Sequence, residues 1–201
     1  GGHSWGAFGL ANPHHALGRI MQDFATTGPS VTSKGPKTSF SVGRIGGGTS
    51  VNSIPFESWM EVDMRSSNQA KLDEIDTVFR MSVKRGLAAE NAARLEGPAL
   101  EVELKQVGDR PAGLGDINGA IVQRAVAAMK VLNIDAQLSS SSTDASIPIS
   151  MGLPAVTISR GGEVKKSHSP DESWRDHDSH KSIQYGLLLL LAEAGLVTGS
   201  P

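Results

Sequence analysis

The sequence contains no cysteine, and this absence excludes disulfide bonds, thiolate metal sites and cysteine nucleophiles. It also lacks an excess of either charge, because 19 Lys and Arg residues stand against 21 Asp and Glu residues, for a formal net charge of −2. No basic stripe indicates a nucleic-acid partner, and no block of like charge indicates a disordered tail. What remains is a chain of 201 residues, long enough to bury a core as one large domain or two small ones.

Long apolar runs are also missing. The longest, from Leu187 to Ala192, is far too short to span a membrane, and no signal peptide is visible. The chain begins at Gly1 without an initiator methionine, so we expect the natural start to lie upstream. We therefore expect no membrane and no nucleic-acid partner, and we predict a cytoplasmic location.

Residues 1–108 alternate between strand and helix patterns. Asn12 followed by Pro13 predicts a helix start, because Asn caps the first turn and Pro suits the first helical position. Asn68 is predicted to cap a second helix that continues to about Arg94. Strands are predicted over residues 3–8, 38–45, 56–64 and 100–104. The resulting order, βαββαβ, is the ferredoxin-like arrangement, and we predict an α/β sandwich with two helices on one face of its sheet.

Residues 109–201 begin with a linker rich in Pro and Gly, DRPAGLGD. One helix is predicted from Asp116 or Asn118 to Leu132, and a final helix from about Asp178 to Leu196. Short strands are predicted over residues 135–138 and 154–159, an alternation typical of a parallel α/β sheet. Because two strands cannot cover the apolar faces of three helices, we interpret this segment as part of a larger domain.

Six polar sites are candidates for chemistry. They are His3, Asn52, Arg65, the run Ser142–Asp144, His168 and the cluster Asp176–His180. A helix start within Ser142–Asp144 would offer backbone N–H groups to an anion, and the strand that follows would bring His168 toward the same sheet edge.

Four of these candidates also have a purely structural interpretation. A loop histidine such as His168 is usually a solvated side chain. Arg65 ends a strand as a surface charge, and Asn52 lies in a Gly-rich turn. In the cluster, Asp178 or Ser179 is the expected N-cap of the final helix, so we do not predict a metal site there.

Four motifs resemble the M20 family of dinuclear-zinc metallopeptidases and deacylases, which includes tripeptidase T, acetylornithine deacetylase and succinyl-diaminopimelate desuccinylase. The segment GGHSWGAFGLANPHHAL resembles the start of the family's lid, and IGGGTSVNSIP resembles its Gly-rich turn with Asn before Ile-Pro. The segment EVDMRS resembles the strand that ends in Asp-x-Arg. The last motif, SSSSTDASIPISMGLPAVTISRGG followed by HSPDE, resembles the Ser/Thr-Asp turn, the Gly-x-Pro strand and the metal-binding His. Together they cover nearly the whole chain, and DRPAG favours the tripeptidase-like branch.

The resemblance implies that residues 1–108 form the lid, or dimerisation, domain and that the chain is a homodimer through it. It implies that residues 109–201 close the catalytic α/β domain. His168 would be a ligand to one of two zinc ions.

The resemblance also assigns roles in substrate binding. His3 and Asn52 would reach an active site, in several relatives that of the partner subunit, and hold the carbonyl oxygen. Arg65 would pair with a substrate carboxylate. Ser142 and Thr143 would hold substrate through hydroxyl and backbone groups.

The chain departs from the family in lacking the His-x-Asp motif and the segment that carries the general-base Glu and the remaining metal ligands. In a complete enzyme, two zinc ions would activate a water that attacks an amide carbonyl. We therefore expect this chain to be the C-terminal part of a short-peptide hydrolase and to be inactive by itself. The alternatives are an N-acyl amino-acid deacylase and a non-catalytic dimerisation or binding module.

Overall fold

The computed structural model describes residues 1–195. The chain divides into two compact units, Gly1–Ala112 and Gly113–Pro201, and helices and strands occur in both. The α/β class predicted from the sequence is confirmed. No helix within residues 1–195 has the length and apolarity needed to cross a membrane.

In the first unit, helices begin where the sequence predicts them. The Oδ1 atom of Asn12 accepts the N–H of His14 at 2.9 Å, and Pro13 occupies the first helical position. Asn68 caps the long helix in the same way, by accepting the N–H of Lys71 at 3.1 Å. The elements of this unit are β1 (Gly2–His3), α1 (Pro13–Thr27), α2 (Pro29–Thr32), β2 (Thr38–Gly47), β3 (Ser53–Ile54), β4 (Ser58–Ser66) and α3 (Gln69–Ala93).

The core of the first unit lies between the β2–β4 hairpin and the two long helices. The hairpin is antiparallel, from Thr38 opposite Ser66 to Gly47 opposite Ser58. Phe24 of α1 is fully buried, and its ring centroid lies 4.3 Å from that of Phe40 and 5.2 Å from that of Phe79. The buried cluster consists of Ile20, Phe24, Val31, Ile75, Phe79 and Val83. One face of the hairpin is thus covered by helices, as predicted.

Two predicted strands of this unit differ in the structure. Of the first predicted strand, residues 3–8, only His3 lies in β1, and the N–H of Ala7 turns back to the carbonyl of His3 at 2.8 Å. Among the described residues, 100–104 contain no strand. The Asn91 side chain instead bonds both backbone groups of Leu100. A strand needs a neighbour to complete its ladder, and residues 100–104 pair with no strand in the described part of the chain.

The second unit is built around two packed helices. Its elements are α4 (Ala120–Val131), α5 (Ser146–Ser150), β5 (Glu163–Lys165), β6 (Ser173–Arg175) and α6 (Ser179–Ala194). Helices α4 and α6 bury a shared cluster of Ala125, Ala128, Tyr185 and Leu189. Both helices fall within the predicted ranges, except that the predicted end at Leu196 lies outside the described residues.

The strands of the second unit are not those predicted. Within residues 113–195, β5 and β6 form an antiparallel pair, and residues 135–138 and 154–159 contain no strand. Parallel strands take part in a sheet only beside a neighbour that completes their hydrogen bonds. Helix α6 also exposes apolar side chains, with Ile183 at 77%, Leu187 at 56% and Leu190 at 62% exposure. These exposed side chains accord with the expectation that two short strands cannot cover the apolar faces of the helices in this segment.

Candidate functional site

His3 and Asn52 are brought together by the short antiparallel pair of β1 and β3. His3 lies opposite Ser53, the residue after Asn52. The N–H of Ser4 donates to the carbonyl of Asn52 at 2.9 Å, which continues the pairing beyond the strand itself. Two residues that are distant in the sequence therefore have adjoining backbones.

The imidazole of His3 is exposed, and one of its ring nitrogens is engaged by the chain itself. Its Nδ1 atom accepts the backbone N–H of Trp5 at 3.2 Å and, at the longer distance of 3.4 Å, that of Gly6. These bonds hold the ring against the turn that follows β1.

Asn52 is also exposed and is anchored at its acceptor atom. Its Oδ1 accepts the hydroxyl of Ser50, and the carbonyl of Ser50 accepts the N–H of Ser53 at 3.3 Å. The side-chain NH₂ of Asn52 is the donor end that this arrangement leaves to other partners.

Arg65 lies near the end of β4, opposite Ser39 of β2. Its Nε atom donates to Asp63 Oδ2 at 2.7 Å, and the guanidinium is more than half exposed. The hydrogen bond to Asp63 raises the pKa of Arg65, so the side chain stays charged. Asp63 binds at Nε, so a substrate carboxylate would be met by the two terminal nitrogens, which can form an end-on, two-pronged contact.

Glu90 links the two long helices of the first unit and was missed by sequence reasoning. It is only 5% exposed. Its Oε1 accepts the N–H of Asn12 and its Oε2 accepts Arg19 Nε, each at 2.9 Å. Burial alone would raise the pKa of Glu90, but these hydrogen bonds and the nearby His15 hold that pKa below its ordinary value. The available signal was its position on the buried face of α3, one turn beyond Gly86.

Ser142 and Thr143 lie just before α5 in the second unit, and both are partly buried. The hydroxyl of Thr143 is 2.7 Å from that of Thr157, which joins this turn to residues 154–159. The carbonyl of Thr143 accepts the N–H of Ser146 at 3.0 Å. The predicted helix start is therefore near the right place, although Ala145 is the N-cap.

His168 occupies the turn between β5 and β6 and is exposed. Its backbone is left-handed, with φ of 63°, and its N–H donates to Glu172 Oε2 at 2.9 Å. Within residues 1–195, no three His, Asp or Glu side chains gather closely enough to hold a metal ion. Since zinc takes three or more protein ligands, these residues do not form a complete zinc site.

The cluster before α6 has the structural role expected of it. Asp176 Oδ1 accepts the hydroxyl of Ser179 at 2.5 Å and its N–H at 3.4 Å. Asp178 is the N-cap by position, yet its side chain caps nothing and pairs with Lys181 instead. The hydrogen bond from Lys181 lowers the pKa of Asp178. The predicted capping side chain, Asp178 or Ser179, is thus replaced by Asp176.

Comparison with known proteins identifies the first unit. Residues 1–90 match the family model of the M20 peptidase dimerisation domain. Residues 1–90 form an M20 peptidase dimerisation domain. No curated protein matches the chain.

The fold of the chain is also similar to that of a solved structure. The chain is similar to aminopeptidase PepT from Bacillus cereus, with a TM-score of 0.59 and 17% sequence identity. The match covers 87% of this chain but 44% of PepT, so the chain spans less than half of that protein's length. At this identity the likeness concerns the fold alone. The resemblance to the M20 family that the sequence predicts is confirmed for residues 1–90, and the branch within that family stays a prediction.

Within the dimerisation domain, β1 and β3 bring His3 and Asn52 together, while Arg65 lies on the separate β2–β4 hairpin. His3 Nδ1 and Asn52 Oδ1 are engaged as acceptors, and the guanidinium of Arg65 carries only N–H donors. Such groups stabilise oxygen atoms that carry or develop negative charge.

Proposed function

We propose that this chain belongs to an M20-type metallohydrolase that cleaves the amide bonds of short peptides, with residues 1–108 as its lid and residues 109–201 as part of its catalytic domain. The observation that carries the proposal is the adjoining backbone of His3 and Asn52 inside an M20 dimerisation domain. In this proposal the protein is a homodimer through the lid and works in the cytoplasm.

His3 and Asn52 would donate hydrogen bonds to the carbonyl oxygen of the bond that is cleaved. Negative charge grows on this oxygen during attack, so fixed N–H donors stabilise the transition state more than the substrate. Both side chains are exposed at the surface of the first unit, which suits donors that reach a ligand held elsewhere, such as one in a partner subunit.

Arg65 would bind the carboxylate of the substrate. A guanidinium presents a planar pair of donors that matches a carboxylate, and Asp63 holds this one by Nε. Ser142 and Thr143 would contact substrate through hydroxyl and backbone groups at the turn before α5.

His168 would supply one zinc ligand. When bound, zinc would activate water for hydrolysis. Because the described residues gather no complete ligand set, the other ligands and the general base would have to come from residues outside this chain.

A second candidate is a non-catalytic dimerisation module. It is favoured by the same lack of a metal-binding cluster in residues 1–195, together with the match of residues 1–90 to a dimerisation domain.

The two candidates are separated by the reading frame upstream of Gly1 and by assay of its product. We expect upstream codons for His-x-Asp and Glu-Glu, and zinc-dependent hydrolysis of tripeptides by the complete protein. A start codon at Gly1, or a complete protein that hydrolyses neither tripeptides nor N-acyl amino acids, would favour the module. Cleavage of N-acyl amino acids in preference to tripeptides would identify a deacylase.

A further inference from the structure

The turn after β1 occupies the acceptor nitrogen of His3. Residues 4–6 place two consecutive backbone N–H groups against Nδ1, those of Trp5 at 3.2 Å and Gly6 at 3.4 Å. The turn is closed by the N–H of Ala7, which donates to the His3 carbonyl at 2.8 Å. At its start the turn is also held by the N–H of Ser4, which donates to the carbonyl of Asn52.

These contacts decide which ring nitrogen carries the proton. A neutral imidazole has one N–H and one bare nitrogen, and a nitrogen that accepts a hydrogen bond is the bare one. With Nδ1 accepting backbone N–H groups, the proton lies on Nε2. The outward atom of His3 is then a donor.

We propose that the backbone N–H groups of Trp5 and Gly6 are positioning groups that hold His3 in the Nε2–H tautomer. This inference rests on the proposed function only for the identity of the ligand. A ring fixed in this way accepts nothing at Nε2, so its partner must supply a hydrogen-bond acceptor, as the oxygen of an amide carbonyl or a carboxylate does. Asn52 likewise offers a hydrogen-bond donor, since its Oδ1 already accepts the hydroxyl of Ser50.

The tautomer can be read directly by long-range ¹H–¹⁵N correlation of the imidazole rings in the purified chain. At about pH 8, above the ordinary imidazole pKa of about 6.5, free imidazoles are neutral and exchange between tautomers. The six His residues are distinguished by comparison with His3→Gln, which removes only the His3 signals. We expect His3 to show widely separated nitrogen shifts, with Nδ1 bare and Nε2 protonated.

Two substitutions at one position separate backbone from side chain. Trp5→Ala keeps the N–H and should leave the His3 pattern unchanged. Trp5→Pro removes the N–H and leaves that of Gly6 in place. In Trp5→Pro the two nitrogen shifts should move toward each other, because exchange between tautomers averages them.

Gly6→Pro removes the longer of the two hydrogen bonds, so the two nitrogen shifts of His3 should move toward each other by a smaller amount. This variant replaces Trp5→Pro in the test if Trp5→Pro does not fold. A proton on Nδ1 of His3, the same averaged pattern in all variants, or an unchanged pattern in a folded proline variant would overturn the proposal. None of these readouts depends on hydrolysis. A fixed tautomer in this chain, found together with a complete protein that has no peptidase activity, would therefore refute the proposed function and leave this inference standing.

Discussion

The backbone N–H of Ser4 donates to the carbonyl oxygen of Asn52 at 2.9 Å. This bond lies one residue beyond the His3–Ser53 pair and ties the turn after β1 to the Gly-rich segment before β3. The relative position of His3 and Asn52 therefore depends on backbone pairing, which persists when either side chain is changed.

Replacing Arg65 by Lys in the complete enzyme should weaken its interaction with carboxylate-bearing substrates. Lysine keeps the charge but loses the planar fork, and hydrogen bonds to charged groups contribute about 1.5–3 kcal/mol. We expect kcat/KM for a tripeptide to fall by roughly tenfold or more, since about 1.4 kcal/mol corresponds to a factor of ten.

Arg44→Lys is the matched control for Arg65. Arg44 lies on β2 of the same hairpin, is exposed, and pairs with Glu61 at 2.9 Å. It should leave kcat/KM unchanged. Equal effects of the two substitutions, or none from Arg65→Lys, would mean that Arg65 is a surface charge.

The chain should form a two-fold dimer through residues 1–108. The β2–β4 hairpin has two strands, and edges of such a sheet present unpaired backbone groups unless they are covered. Edge pairing or helix packing across a two-fold axis would cover them. Light scattering at a protein concentration on the order of tens of micromolar should give a mass twice that of the chain. A monomer mass throughout that range would contradict dimerisation.

The helices could be predicted because their signals are local. Asn12 with Pro13, and Asn68, each cap the helix that directly follows. The two long strands could be predicted for a related reason. The alternation of apolar and polar residues in β2 and β4 matches a sheet covered on one face.

The sequence was less informative where structure depends on distant partners. Residues 154–159 have a strand-like composition but form no strand in the described structure, because a strand requires a neighbour. The pairing of His3 with Ser53 depends on register, which neither segment encodes alone. Glu90 looked like an ordinary charged helix residue, since its partners Asn12 and Arg19 lie on another helix and are joined to it only by folding.

Glu90 should make the stability of the first unit sensitive to acid. Its pKa is lowered in the folded state, so its contribution is present above the unfolded value of about 4.3 and is lost as pH falls through the folded pKa. Glu90→Gln should lower the free energy of unfolding at neutral pH by about 1.5–3 kcal/mol, the range for hydrogen bonds to charged groups. It should also flatten the loss of stability below about pH 4.3.

Urea unfolding of both proteins across that pH range, followed by circular dichroism, measures these effects. Glu57→Gln changes an exposed carboxylate on the same unit and should alter neither the neutral-pH stability nor the acid dependence. If Glu90→Gln behaves like Glu57→Gln, the link between α1 and α3 through Glu90 contributes nothing to stability.

The purified chain alone should bind zinc only weakly and hydrolyse no tripeptide. His168 is an exposed imidazole on a turn, and within residues 1–195 no second and third ligand gather beside it. Binding through a single ligand must offset the whole entropic cost of ordering the turn, whereas in stable zinc sites three or four ligands contribute to binding. Calorimetry with zinc should therefore show no submicromolar site, and His168→Ala should change the weak binding no more than His180→Ala does.

Submicromolar binding that His168→Ala abolishes would show that the chain completes a metal site by itself. Loss of such binding in His180→Ala alone would move the site to the Asp176–His180 cluster.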